Sequence, residues 1–128
     1  MPAPLVFFDI AGPDMEGLAE FYAAVFGWDI TPGTPFPGAG AIAPIPVLDP
    51  LPGTLRRSDA DDDPQFRKVI YVGVEDVAAT LAAVAAQGGA IHAPRFEVPG
   101  VVVLGLFKDP AANVIGLVEI AGGKPKIP

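Results

Sequence analysis

Apolar residues recur along this chain with two periods, and the pattern of the first half returns in the second. Leu5 to Ile10 is an apolar and aromatic run of strand length, interrupted by Asp9 and closed by Gly12-Pro13, and it predicts a β-strand. After Pro13, the residues Met15, Leu18, Phe21, Tyr22 and Val25 recur at helical spacing. Asp14 stands where an N-cap accepts backbone N–H groups, and Gly27 stands where a helix stops. Lys68 to Val74 reads as a second strand, followed by Asp76 as N-cap, by Val77, Leu81 and Val84 on one helical face, and by Gly88-Gly89 as the stop. Sliding one half over the other puts Asp14 on Asp76, Gly27 on Gly89, and Phe7 to Ile10 on Val69 to Val72, all at an offset of 62 residues.

The second half continues with three strand candidates, Ala90 to Ala93, Val101 to Phe107 and Asn113 to Glu119, the last two joined by the turn-forming Asp109-Pro110-Ala111-Ala112. That order is βαβββ. In the first half Trp28 to Thr31 and Ala41 to Leu48 are strand candidates, and Pro44 and Pro46, which cannot donate to a ladder, predict an edge or a bulge. The charged, aperiodic stretch Leu55 to Pro64 reads as the exposed connection. The chain is expected to be one domain, with module one over 4–56, a linker over 57–67 and module two over 68–120.

Composition narrows the functional classes. The 128 residues are 51% hydrophobic and 18% charged, enough for one compact core. Net charge is -7 and the basic residues are scattered, so nucleic acid is not an expected partner. Cysteine is absent, which excludes disulfides and thiolate chemistry. No apolar run is long enough to span a bilayer and the start lacks a basic n-region, so a cytoplasmic location without a membrane is expected. Asp59, Asp61 and Asp63 lack the glycine and terminal glutamate of a calcium loop, and Gly38-Ala39-Gly40 lacks the lysine and helix start of a phosphate loop. The basic tail Lys124 to Lys126 reads as a solvated terminus.

The strand Phe7-Phe8-Asp9-Ile10, then Asp14, then Phe21-Tyr22-Ala23-Ala24-Val25-Phe26-Gly27-Trp28, resembles the opening module of the vicinal oxygen chelate superfamily, which contains glyoxalases, bleomycin-resistance proteins and extradiol dioxygenases. Val74-Glu75-Asp76-Val77, Gly88-Gly89, Phe96-Glu97-Val98-Pro99-Gly100 and Lys108-Asp109-Pro110 resemble its closing module. The resemblance implies an α+β fold of two βαβββ modules forming a half-open barrel, helices outside, with a ligand cavity between the modules. It also implies a homodimer, a state consistent with the chain's apolar surplus.

Enzymes of that family hold a divalent metal through side-chain donors at fixed positions. By the resemblance, three of those positions fall on Phe7, Val69 and Gly116, none of which can bind a metal, and the fourth falls in the proline-rich part of module one. No cofactor is therefore expected. Glu119, three residues beyond Gly116, is expected on the opposite face of its strand.

Alternation puts Asp9 on the face of Phe7, and the offset of 62 puts Tyr71 at the equivalent point of module two. Asp9 either meets a ligand or pairs with an arginine such as Arg95 or Arg67. His92, the lone histidine, is either a general base or an ordinary polar strand residue. Phe7, Asp9, Trp28, Tyr71, His92 and Phe96 form the candidate ligand-binding set, with no assigned catalytic residue. The expected function is binding of a small, partly apolar molecule without a metal; the alternative is a metal-dependent glyoxalase-type lyase, isomerase or dioxygenase.

Overall fold

A computed structural model of the chain describes residues 2–28, 30, 51–58 and 67–128 in full, and 35–36 and 40–45 as backbone. The fold is α+β and divides into two compact units, Phe7–Val69 and Met1–Val6 with Ile70–Pro128.

In the first unit, β1 (Leu5–Gly12) leads into α1 (Met15–Phe26), followed by β2 (Pro35–Phe36), β3 (Gly40–Ile45) and β4 (Gly53–Arg57). The strands lie in the order β2-β3-β4-β1, with β4 antiparallel to β3 and parallel to β1. The second unit repeats the plan with β5 (Lys68–Val74), α2 (Val77–Ala86), β6 (Ala90–Val98), β7 (Val102–Lys108) and β8 (Val114–Ala121). Its order is β5-β8-β7-β6, with β5 and β8 parallel. Each unit is thus βαβββ, its first and last strands side by side. The residues before Phe7 belong to the second unit, where the Gly73 N–H donates to the Pro4 carbonyl at 2.9 Å.

Both helices begin as their capping residues dictate. The Asp14 carboxylate accepts the Gly17 N–H at 3.0 Å, and the Asp76 carboxylate accepts the Ala79 N–H at 2.9 Å. Gly27 closes α1 in the left-handed region with φ 70°, a conformation that costs glycine little. In the second unit the left-handed residue is Gly88 (φ 93°) rather than Gly89, so the repeat slips by one residue at this stop. Each helix lies on one face of its own sheet. Met15 and Ala19 of α1 pack with Leu55 and Ile30, flanked by Phe8, Ile10, Leu18, Tyr22 and Trp28. Val77 and Leu81 of α2 pack on Leu117, flanked by Val72, Val74 and Phe107.

Four local expectations need correction. Trp28 and Ile30 are not in a strand; the Trp28 N–H reaches back to the Tyr22 carbonyl and the Ile30 N–H to the Trp28 carbonyl, so the chain turns as it leaves α1. The segment expected to begin an exposed connection at Leu55 is instead part of β4, with Leu55 fully buried, because β4 draws its partners from β1 and β3 rather than from its own sequence. Lys124 and Pro125 are not free tail but a short strand, β9, antiparallel to β8. Phe21 and Val25, counted on the apolar face of α1, are more than half exposed, because the buried stripe runs through Met15 and Ala19.

Strand β3 falls inside the expected Ala41 to Leu48 run, and at Pro44 it has β4 on one side and, among the described residues, no strand on the other. Pro46, the Asp59 to Asp63 cluster, Gly38 and Ala39 lie outside the described residues. Among the described residues no helix is long and apolar enough to cross a membrane.

Candidate functional site

The face of each sheet turned away from its helix carries the candidate residues. In the first unit Phe8 and Ile10 pack toward α1, so alternation turns Phe7, Asp9 and Ala11 to the opposite face. Strand β4 is matched to it: Asp9 stands beside Thr54 and Ala11 beside Arg56, while Leu55 packs toward α1. The ladder continues past β4, because the Ser58 N–H donates to the Gly12 carbonyl at 2.9 Å, so Ser58 falls on the face of Thr54 and Arg56. That face therefore presents Phe7, Asp9, Thr54, Arg56 and Ser58.

Asp9 is 4% exposed and its Oδ2 accepts a hydrogen bond from the Arg56 Nε at 3.3 Å. The expected arginine partner for Asp9 thus exists, and it is Arg56, in a strand that local pattern does not reveal. Removing two charges from water is tolerated where each compensates the other. Thr54 and Ser58 are buried beside the pair, at 8% and 6% exposure. The Ser58 hydroxyl is buried with no hydrogen-bond partner among the described residues.

In the second unit Tyr71 is buried and stands beside Gly116 on β8. Its ring lies over the glycine: a Cβ at 116 would collide with the Cδ2 and Cε2 atoms and approach Cγ to 2.9 Å. Val69 is buried on the same strand, two residues before Tyr71.

These registers supply the family position that the sequence left in the proline-rich stretch. Asp9 beside Thr54 corresponds, at the offset of 62, to Tyr71 beside Gly116, so the first-module counterpart of Gly116 is Thr54. The four equivalent positions are then Phe7, Thr54, Val69 and Gly116, which offer one hydroxyl and no imidazole, thiolate or carboxylate. Among the described residues no group of three or more histidine, cysteine, aspartate or glutamate side chains is placed to hold a metal ion. The donor chemistry does not fit a divalent transition metal, and the Tyr71 ring occupies the space a longer side chain at 116 would need.

The remaining candidates lie elsewhere. Trp28 stacks on Tyr22 at 5.2 Å between ring centroids and packs with the α1 cluster, on the other side of the sheet from Asp9. His92 is exposed on β6 at a register shift between Ile91 and Ala93. Phe96, half-buried, pairs with Leu104 on the same edge strand, separated from β5 by β7 and β8.

Glu119 is on the face opposite Gly116, as alternation requires, and it is a structural hub. Its Oε2 accepts from the backbone N–H of Val77 at the start of α2 and from the Arg95 Nε, both at 3.1 Å, and its Oε1 accepts from the Arg95 Nη2 at 3.0 Å. These Arg95 hydrogen bonds hold its carboxyl at about 2, overcoming the opposing effect of burial, with Val77 and Lys126 adding to the depression.

Sequence reasoning missed Thr54, Arg56 and Ser58. The signal was present: subtracting 62 from Gly116, Val118 and Ile120 names all three.

A parallel-paired βαβββ unit, used twice, defines a class of two-module proteins, and the comparisons agree. The sequence model of the Glyoxalase/Bleomycin resistance protein/Dioxygenase superfamily matches residues 5–117, and the chain belongs to that family. It is 27% identical over 124 residues to the anthracycline biosynthesis protein DnrV of Streptomyces peucetius, covering 86% of this chain and 44% of that protein, so it spans under half of that relative's length. Among solved structures, a methylmalonyl-CoA epimerase in complex with methylmalonyl-CoA and NH4+ superposes with a TM-score of 0.70 at 16% identity, covering 98% of this chain and 100% of the other. A variant of the Streptomyces coelicolor methylmalonyl-CoA epimerase in complex with 2-nitronate-propionyl-CoA gives 0.69 at 15% identity, covering 98% and 99%. A superfamily member from Vibrio splendidus 12B01 gives 0.60 at 13% identity, covering 93% and 100%. At these identities the structural likenesses speak to the fold alone.

Proposed function

We propose that this protein binds a small, partly apolar molecule on the helix-free faces of its sheets, without a metal. The observation that carries the reading is the set of four equivalent positions, Phe7, Thr54, Val69 and Gly116, which lacks the donors a divalent ion requires. Affinity then comes from shape, aromatic contact and a few hydrogen bonds. On the first unit's helix-free face Asp9 with Arg56 supplies a polar anchor, and on the second unit's, taken by itself, Tyr71 supplies a buried ring. Similarity to an anthracycline biosynthesis protein supports a planar, oxygen-bearing aromatic compound as the ligand class. The protein works in the cytoplasm as a homodimer; the exposed Phe21, Val25 and Phe26 of α1 support burial against a second copy.

Metal analysis and native mass spectrometry of protein purified without added metal test this reading. The expected result is a metal-free protein that binds 1,4-dihydroxyanthraquinone, with affinity reduced by Tyr71→Ala. Stoichiometric zinc, nickel, iron or manganese, lost on Asp9→Ala, would overturn it in favour of a metal-dependent lyase, isomerase or dioxygenase.

A further inference from the structure

The helix-free faces of the two modules share one lattice of positions but differ in polarity. On β1 and β4, Asp9 stands beside Thr54 and Ala11 beside Arg56; on β5 and β8, Tyr71 stands beside Gly116 and Gly73 beside Val118. The offset of 62 therefore pairs Asp9 with Tyr71, Thr54 with Gly116, Arg56 with Val118 and Ser58 with Ile120. Every polar residue of that set in module one has a ring, a glycine or an aliphatic side chain as its counterpart.

Module two shows that this lattice packs well with apolar residues, since Val118 and Tyr71 are buried there. Burying polar groups at the same positions in module one disfavours folding unless each finds a partner. Asp9 and Arg56 compensate one another. Ser58 does not fit that explanation: its Oγ is buried and makes no hydrogen bond among the described residues. A buried hydroxyl without a partner, on a face whose apolar version is available within the same chain, points to a partner supplied from outside the protein.

We infer that the helix-free face of module one is a polar subsite in which Ser58 and Thr54, beside the Asp9–Arg56 pair, receive the oxygen-bearing end of the ligand. The inference rests on the metal-free binding reading above and adds to it the chemistry of the recognised group. The Asp9 carboxylate offsets the Arg56 charge, and hydroxyls both donate and accept, so the subsite suits neutral carbonyl and hydroxyl oxygens rather than a carboxylate.

Two planar probes with one tricyclic carbon skeleton separate the contributions: 1,4-dihydroxyanthraquinone, with oxygens toward one end and a bare ring at the other, and anthracene delivered in dimethyl sulfoxide. Affinities are read by fluorescence titration for the wild type, Ser58→Ala and Thr54→Val, with thermal melts as the check on folding. The wild type should prefer the dihydroxyanthraquinone by roughly tenfold or more, and Ser58→Ala and Thr54→Val should each erode that preference by roughly three- to tenfold without changing anthracene binding. Thr54→Ser, which keeps the hydroxyl, should retain the preference and carries the test if Ser58→Ala does not fold. If the wild type binds both probes equally, or the preference survives Ser58→Ala and Thr54→Val, the subsite is wrong and the binding reading stands. If neither probe binds, both are wrong.

Discussion

The ring of Tyr71 lies over Gly116 on the neighbouring parallel strand, filling the volume that any side chain at 116 would claim. Gly116→Ala should therefore destabilise the protein by about 1–3 kcal/mol through overpacking. Tyr71→Ala empties that volume, so adding it to Gly116→Ala should recover part of the loss, with a coupling of about 0.5–3 kcal/mol in a double-mutant cycle. Urea denaturation of the four proteins reads this directly, and strictly additive costs would show that the ring does not rest on Gly116.

The two helix starts obey one rule and should respond alike. Asp14→Ala and Asp76→Ala each remove a carboxylate acceptor for a first-turn N–H, at 3.0 Å and 2.9 Å, and each should cost about 1 kcal/mol. Replacement by Asn or Ser should restore most of it. A neutral effect of either alanine would mean that water serves the freed N–H as well as the cap does.

The contrast between what the apolar pattern reveals and what it hides has a physical source. Strand β1, strand β5 and both helix starts are written locally, in apolar periodicity and in Asp14 and Asp76, so the sequence alone makes them legible. Strand β4 is written in its neighbours: Leu55 is its apolar anchor, while Thr54 and Arg56 look like surface residues until β1 pairs with them and Asp9 meets Arg56. Strand β9 is two residues long and pairs with Ile120 and Ala121, where β8 runs past its registers with β5 and β7, and Lys126 just beyond it meets Glu119 at 3.4 Å. Of the candidate site, Asp9 and Tyr71 are reachable by alternation and offset, whereas Trp28 is drawn into the α1 cluster by stacking that spacing alone does not encode.

Asp9 and Arg56 are coupled across 47 residues of sequence by the β1–β4 ladder. Losing one partner removes a charge-assisted hydrogen bond from a part-buried position, so Asp9→Ala and Arg56→Met should each cost about 1.5–3 kcal/mol. The apolar double replacement Asp9→Leu with Arg56→Met should cost far less than the sum. Equilibrium denaturation checks it, and a double variant as unstable as the two losses added together would refute the coupling.

Among the described residues Glu119 gives the sharpest pH signature. In module one the equivalent position is Arg57, whose Nη1 donates to the Pro13 carbonyl at 3.1 Å just before α1. Both modules thus tie the end of their last core strand to the start of their helix, one with a cation and the other with an anion. Hydrogen bonding from Arg95 lowers the Glu119 carboxyl from its ordinary 4.5 to about 2, despite the opposing effect of burial. A folded-state pKa below the unfolded one stabilises the protein above the ordinary value, and that stabilisation is lost as pH falls through about 2. Glu119→Gln should therefore be less stable than the wild type by about 1.5–3 kcal/mol near neutrality, the scale of hydrogen bonds to a charged group lost at a part-buried contact. The gap should narrow steadily as pH drops from 4.5 toward 2. The Arg95 contact with Glu97, 3.5 Å across an exposed surface, is screened by solvent and should contribute little, so Glu97→Gln serves as the control. Urea denaturation across that pH range is the measurement; stability curves for wild type and Glu119→Gln that stay parallel down to pH 2 would mean that Arg95 does not hold the carboxylate charged.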